Sequence, residues 1–370
     1  MENLAKISIP ELKIEFDLPF LRSFILDVNT LSNLSKSGIW VNYSNNSLPI
    51  ENINFRAWKN WLLSEEYRTP HRLPFSARLP FHYHRIPTLF RVEFAKKLFY
   101  SNQRLEISGF GIDLLELLLK KIQPGQDKRF LMLTHDIDTE GGFSNIKQIS
   151  NLELRFGFQS LWNYVPKKYL VNHEVLENLK LNGNEIGIHG IWHNNREAFL
   201  HKNILRREFR SLIPEMKKYD ISAYRGPSWY RTKNCFDVLS EFFKYDLSCL
   251  DHDFICPGEP GGVFTSRPYK IRPNLIEIPC TIPFEAPLFY GVSPNKLLEF
   301  WIPKIDLITC TSGFLVVNTH PDKGYLSDSS VFKSYKELLD RLYKSNWKVM
   351  LPSKLEMDVK NARITIPTTY

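Results

Sequence analysis

The chain has no CxxC pair, no internal repeat and no unbroken apolar run of the length that spans a bilayer. Its five cysteines (Cys235, Cys249, Cys256, Cys280, Cys310) are widely spaced and odd in number, which argues against a disulfide framework or a zinc knuckle. Buried thiols in a reducing compartment are the plain expectation. The longest apolar patches, such as Phe314 to Val317, are strand-sized, well short of the ~20 residues a membrane helix needs. The opening residues, MENLAKISIPELKIEF, scatter charges among short apolar pieces and lack the continuous apolar core of a signal peptide. These absences predict a cytoplasmic protein without a membrane span.

What is present suits a folded domain. The 370 residues are 43% hydrophobic and 14% aromatic, enough for one large domain, alone or with an extension. The net charge of +8 is unevenly spread: residues 68–104 hold eight Arg/Lys against the single acid Glu93. Phe75, Phe81, Tyr83, Phe90 and Phe94 are interleaved with these charges. The segment reads as a face for an anionic partner: a nucleotide-linked sugar, a lipid pyrophosphate, or a membrane surface in peripheral association. The plainer alternative is a solvated basic face whose aromatics pack inward. No nucleic-acid motif accompanies the charge, so nucleic acid is not an expected partner.

From Phe130 onward, short apolar strands alternate with helical patterns. Strands are predicted at FLMLT (130–134), EIGIH (185–189), SAYR (222–225), IEIPCTI (276–282), GFLVVNT (313–319) and WKVML (347–351). Between them, helices are predicted from the Asn172 cap to Gly183, around 200–218, and over 233–244, 295–309 and 332–345. Such βα units imply a parallel sheet, and about seven of them suit a closed or nearly closed barrel. Residues 1–125 differ: proline-broken segments and one helix, GIDLLELLLKKI (111–122), read as an extension packed on the barrel. The organisation expected is an extension over 1–125, partly helical and basic, a catalytic α/β barrel over 126–356, and a tail over 357–370.

In parallel βα folds reactive groups collect at the C-terminal ends of strands. Here THDID, HGIWH, YRGP and NTHPD each follow an apolar strand, so four strand ends deliver Asp, His and Arg to one mouth. Asp136 and Asp138, two apart, point to the same side and would repel unless a cation or proton lay between them. Asp138 is read as a metal ligand and Asp136 as a proton acceptor; His135 points away and is structural. His189 and His193 are spaced i and i+4, which in one helical turn would bring both imidazoles within reach of a single ion. With Asp138 they complete a two-His, one-carboxylate set with open positions for water and substrate. Trp192 is read as a wall of the cleft. Arg225 is suited to grip Asp136, with Pro227 stiffening its loop. His320 is the natural second proton carrier, with Asp322 placed to orient it. The same ligand set also occurs in non-haem iron oxygenases, which need neither an Arg-held second Asp nor a distal acid.

These motifs, in this order, resemble those of the polysaccharide deacetylases of carbohydrate esterase family 4, over roughly 130–352. LTHDID looks like the first motif (Asp136 as base, Asp138 as ligand), HGIWH like the second (His189 and His193 as ligands) and YRGPSW like the third (Arg225 contacting the base). KYDLSCL is similar to the fourth, with Asp246 near the cleft, and NTHPD looks like the fifth, with His320 as general acid. PGGVF, EIPCTIPFEAPLF and LVVNTHPD together resemble a subgroup associated with surface-polysaccharide synthesis. The resemblance implies a distorted (β/α)7 barrel and a divalent metal, zinc by default. It also implies removal of an N-acetyl or other acyl group from an amino sugar, free or carrier-linked. A deacetylase-like carbohydrate-binding protein without catalysis and a hydrolase of a non-sugar amide are the alternatives. Two departures stand out. Gly190 replaces the Ser or Thr usual after the first motif-two His, so a loop-bracing hydroxyl is missing. Ser228 stands where an aromatic is common, with Trp229 one position on to substitute.

Overall fold

The computed structural model describes residues 6–9, 14–17, 40–43, 46–49, 129–251, 262–263, 265–311 and 314–355. The expected helix over 111–122, the basic segment 68–104 and the tail 357–370 lie outside them. Before residue 50, strands β1 (Lys6–Ile9), β2 (Ile14–Asp17), β3 (Trp40–Tyr43) and β4 (Asn46–Pro49) form a four-stranded antiparallel sheet, in the order β2-β1-β3-β4.

The second sheet holds the motifs. It begins with β5 (Phe130–Ile137), β6 (Ser160–Tyr164), β7 (Glu185–His189), β8 (Ala223–Arg225) and β9 (Tyr245–Asp246). It continues with β10 (Tyr269–Arg272), β11 (Leu275–Glu277), β12 (Ile282–Pro283), β13 (Phe314–Thr319) and β14 (Lys348–Val349). The order is β10-β11-β9-β8-β7-β6-β5-β13-β12, with β14 also on β5. Every pairing is parallel except β10 with β11, so the sheet is mixed and curls into a half-barrel with helices outside. Seven helices accompany it among the described residues: α1 (Phe143–Arg155), α2 (His173–Leu181), α3 (Lys202–Ser211), α4 (Ile213–Tyr219), α5 (Lys233–Phe242), α6 (Leu297–Thr311) and α7 (Ser329–Lys344).

Several expectations shift. The helix around 200–218 is two, broken at Leu212 ahead of Pro214, whose missing N–H suits a first turn. The strand expected over 276–282 is also two. Pro279 cannot donate to a ladder, and the chain crosses there from β9's side of the sheet to β13's. Strand β6 and helix α1 have no counterpart among the elements predicted from the sequence. Asn172 does cap α2: its side chain accepts from Val175 N, and Gly183 follows the helix at φ +82°.

Period-two alternation sorts the strand residues into two cores. Leu131, Leu133, Ile137, Ile186, Ile188, Tyr224, Leu315 and Val317 pack outward with the helices. Phe130, Met132, Leu161, Ala223, Tyr245, Leu247, Phe314 and Val316 pack together inside the curl. The inner parity continues into the polar residues at the strand ends. Thr134 and Asp136, Asn163, His189, Arg225 and Asn318 share it, so their side chains converge above the inner apolar plug. No helix among the described residues is long and apolar enough to cross a membrane.

Candidate metal and catalytic site

The inner-facing polar residues meet in one buried cluster. Asp138 Oδ1 lies 3.4 Å from His189 Nε2 and 2.9 Å from His193 Nε2, without hydrogen-bond geometry to either. One ligand atom from each of the three buried residues falls within 4.8 Å of the others. Bonds of about 2.0–2.2 Å to a tetrahedral ion set neighbouring ligand atoms about 3.3 Å apart, so the donor set and spacing fit a divalent cation. His189 Nδ1 faces the carbonyl of Arg225 at 3.2 Å, so that nitrogen carries the proton and Nε2 keeps its lone pair for an ion. Burial drives His193 down to about 4 despite the Asp138 carboxylate, so its ring is neutral at physiological pH. Burial works against the Asp138 charge, yet the imidazoles of His193 and His189 hold its carboxyl well below the usual range.

HGIWH is not a helical turn. The chain leaves β7 through Gly190 at φ +65°, and both His193 (φ 54°) and Asn195 (φ 62°) are left-handed. The two rings meet, 4.9 Å between centroids, through this bent loop and not through helical periodicity. Left-handed backbone costs a non-glycine residue about 1–2 kcal/mol, so something must hold His193 there. That holder is Glu197, buried, whose Oε1 accepts the main-chain N–H groups of Trp192 and His193. The bend is thus braced by a carboxylate from further along the chain. No larger residue fits at 190: a Cβ would lie 2.3 Å from Glu197 Oε2 and 2.6 Å from Pro227 Cγ.

Asp136 sits beside the candidate ligand group. Arg225 Nη1 donates to both its oxygens, at 3.1 and 3.2 Å, and also to Thr134 Oγ1 and Asn318 Oδ1. Burial would raise the Asp136 pKa, but Arg225, then His189 and His320, together with the Asn163 amide, hold it below the ordinary value. Asn163 Nδ2 donates to Asp136 Oδ1 at 2.9 Å. Asn163 is not among the candidates drawn from the sequence because β6 is not predicted there, although β6 pairs Asn163 directly with Asp136. Gly187 makes room for it, since a Cβ there would lie 2.1 Å from Asn163 Oδ1. Ser228 (φ 50°) and Trp229 (φ 59°) are left-handed after the buried Pro227, and the Trp229 ring lies 5.2 Å from the Arg225 guanidinium carbon. Trp192 is half-buried, with Lys167 Nζ 5.7 Å from its ring centre.

Two residues stand elsewhere than expected. Asp322 does not orient His320; it accepts from Asp138 N at 2.9 Å and from Thr139 Oγ1, so it braces the first motif. The partner of His320 is Glu285, which accepts its main-chain N–H at 2.9 Å and faces its Nδ1 at 3.4 Å. Burial opposes the charge on His320, but Glu285, with Asp138 and Asp136, pushes its pKa up to about 10. Asp246 is not a cleft residue. Its neighbours Tyr245 and Leu247 take the inner face, so Asp246 points outward, beside Glu277 in the β9–β11 register. There it accepts from Ser248 Oγ, which accepts in turn from Gly226 N, so Asp246 props the Arg225 turn from behind. His135 has the outer parity too. It bonds Thr319 Oγ1 at 2.6 Å and Glu153 at 2.8 Å, and Glu153 also accepts from Ser160 and Tyr335.

No family model matches the sequence, and no curated protein sequence matches it either. Solved structures do. A protein of Mycobacterium smegmatis assigned as a polysaccharide deacetylase superposes with a TM-score of 0.52 at 17% identity, over 65% of this chain and 92% of its own. A CE4 family pseudoenzyme from Bacillus anthracis gives 0.43 at 13% identity, over 62% and 66%. The peptidoglycan deacetylase PdaC of Bacillus subtilis gives 0.43 at 11% identity, over 64% and 94%. The latter two similarities are too distant to bear on this chain. The first shows a fold shared with that protein over 65% of this chain. At that identity it shows the fold alone, and activity rests on the site.

Proposed function

We propose that this protein is a metal-dependent hydrolase that removes an N-acetyl or other acyl group from an amino sugar. The observation that carries the reading is the approach of His189 and His193 to the buried Asp138 Oδ1, beside a second carboxylate held by Arg225. Asp138, His189 and His193 would hold a divalent ion, zinc by default. Such an ion would polarise the acyl carbonyl and lower the pKa of a water toward neutrality.

The chain's own groups divide the proton transfers. Asp136 is ionised and fixed by Arg225 and Asn163, so it can accept a proton from the water that attacks the acyl carbon. His320, its Nδ1 directed at Glu285, is the donor to the amine nitrogen as the C–N bond breaks. An acid whose proton is held this firmly stays charged through neutrality and is ready when the leaving amine needs it. The products are the free amine and the carboxylic acid.

Glu285 gives this assignment a signature in pH. His320 supports turnover while protonated, so activity is present below its pKa and is lost as pH rises through it. With that pKa raised to about 10, the alkaline limb of kcat/KM is expected well above the ordinary imidazole range. Glu285→Gln should move that limb to lower pH, with Asp138 and Asp136 still opposing part of the fall. A limb that does not move in the Gln variant would reassign either the acid or its partner.

The carrier is also a proposal: a phosphorylated precursor of a surface polysaccharide, nucleotide- or lipid-linked, processed in the cytoplasm. The basic segment 68–104 supports it, including by peripheral attachment to an anionic membrane. The test is acetate release from a panel of free, nucleotide-linked and lipid-linked acetamido sugars, with and without chelator. Chelator-sensitive release from at least one is expected. Sugar binding without release would make the protein a carbohydrate-binding module on this fold, and release from non-sugar amides alone would change the substrate class.

A further inference from the structure

The chain between β7 and α3 bends back on itself, and one carboxylate occupies the inside of the bend. Glu197 lies in a short 3-10 turn, Glu197–Phe199, and is 2% exposed. Its side chain reaches back four residues to the main-chain N–H of His193, at 2.7 Å, and also takes that of Trp192. Two successive amides therefore converge on one acid oxygen. Its other oxygen, Oε2, lies against Gly190 and has no hydrogen-bond partner. A buried carboxyl with one oxygen left bare is an expensive arrangement, and burial pushes its pKa up accordingly. Packing alone would be served better by an apolar side chain.

The bend it holds decides where His193 points. His193 and Asn195 are both left-handed, and the bend opens at Gly190, where Glu197 and Pro227 leave no room for a Cβ. Released from Glu197, His193 would relax toward ordinary backbone angles, and its ring would turn away from Asp138 Oδ1, 2.9 Å distant. His189, by contrast, ends a strand and is fixed by the β8 carbonyl of Arg225, so it needs no such brace. We infer that Glu197 is a positioning residue for the ligand His193, acting through the main chain of residues 192–193 and touching neither ion nor substrate. The assignment rests on the reading of Asp138, His189 and His193 as a metal centre.

Two substitutions of similar volume separate acceptance from packing. Glu197→Gln keeps an oxygen for the amides, whereas Glu197→Met fills the space without one. Zinc affinity by competition titration and the visible spectrum of the cobalt(II) complex are the readouts. Positioning groups around metal sites typically change affinity by about 10–100-fold, so Glu197→Met should bind zinc at least about tenfold more weakly, with a shifted cobalt band, and Glu197→Gln within about threefold of wild type. If wild-type protein takes up neither ion, the metal-centre reading fails and this assignment falls with it. If wild type binds and Glu197→Met binds equally, with an unchanged cobalt spectrum, only the assignment is overturned. Should Glu197→Met not fold, Glu197→Asp, whose shorter stem withdraws the carboxylate, takes its place under the same criteria. Failure of both to fold, with the Gln variant folded, would make Glu197 a residue of the scaffold at large and overturn the assignment.

Discussion

Asp136→Asn is expected to keep a bound divalent ion while losing turnover by about 10²–10⁴-fold, the usual contribution of a positioned general base. The asparagine has nearly the same shape and can still accept from Arg225 Nη1, which sits 3.1 and 3.2 Å from the two carboxylate oxygens. It cannot take up a proton. The proposed metal ligands are separate residues, so zinc stoichiometry should stay at the wild-type value. The substitution also leaves the buried Arg225 without its counter-charge, although Thr134, Asn318 and the carbonyl of Leu247 remain as neutral acceptors. A measurable loss of stability is therefore expected. The wild-type pair predicts its own acid sensitivity. The Asp136 pKa is lowered on folding, so its contribution is present above the unfolded value and is lost as pH falls through the folded one. Wild-type rates from a folded Asn variant would remove Asp136 from the mechanism.

His189→Ala should act on the opposite quantity. It deletes one of the three proposed ligands and leaves only Asp138 and His193, so zinc affinity should fall by more than about 100-fold, beyond the effect of a supporting group. Activity should fall with metal content, and added zinc should restore little of it. Asp136→Asn and His189→Ala together form a paired test, in which one loses chemistry with the metal retained and the other loses the metal itself. Metal content by mass spectrometry, beside acetate release, distinguishes them. A His189→Ala protein that binds zinc as tightly as wild type would dismiss the ligand set.

How much of the site is legible in the sequence differs residue by residue. THDID, YRGP and NTHPD are legible because polar residues directly after an apolar strand of a parallel sheet have one place to go, the C-terminal mouth. The same reasoning finds His189 and His193 but supplies the wrong local geometry. Spacing of i, i+4 suggests a helix, whereas Gly190 starts a left-handed bend whose stability lies in Glu197. Asp246 carries a signal that the family resemblance overrides. In Tyr245–Asp246–Leu247 the apolar residues flank the acid, and strict alternation sends the acid to the opposite face. Glu285 has no local signal. It meets His320 because β12 and β13 pair Ile282 with Val317 and Pro283 with Asn318, which carries the two chains in step to 285 and 320. Asn163 reaches Asp136 by the same kind of register, between β5 and β6.

The sequence by itself determined most of the strand–helix alternation, the two-His, one-carboxylate donor set and the arginine–aspartate pair, because hydrophobic period and residue chemistry are local properties. Only the tertiary structure decided which acid serves His320, which face Asp246 takes and how His193 is turned toward Asp138. Those outcomes depend on strand register and on a hydrogen bond closed around a bend, and neither is written in the spacing of residues along one segment.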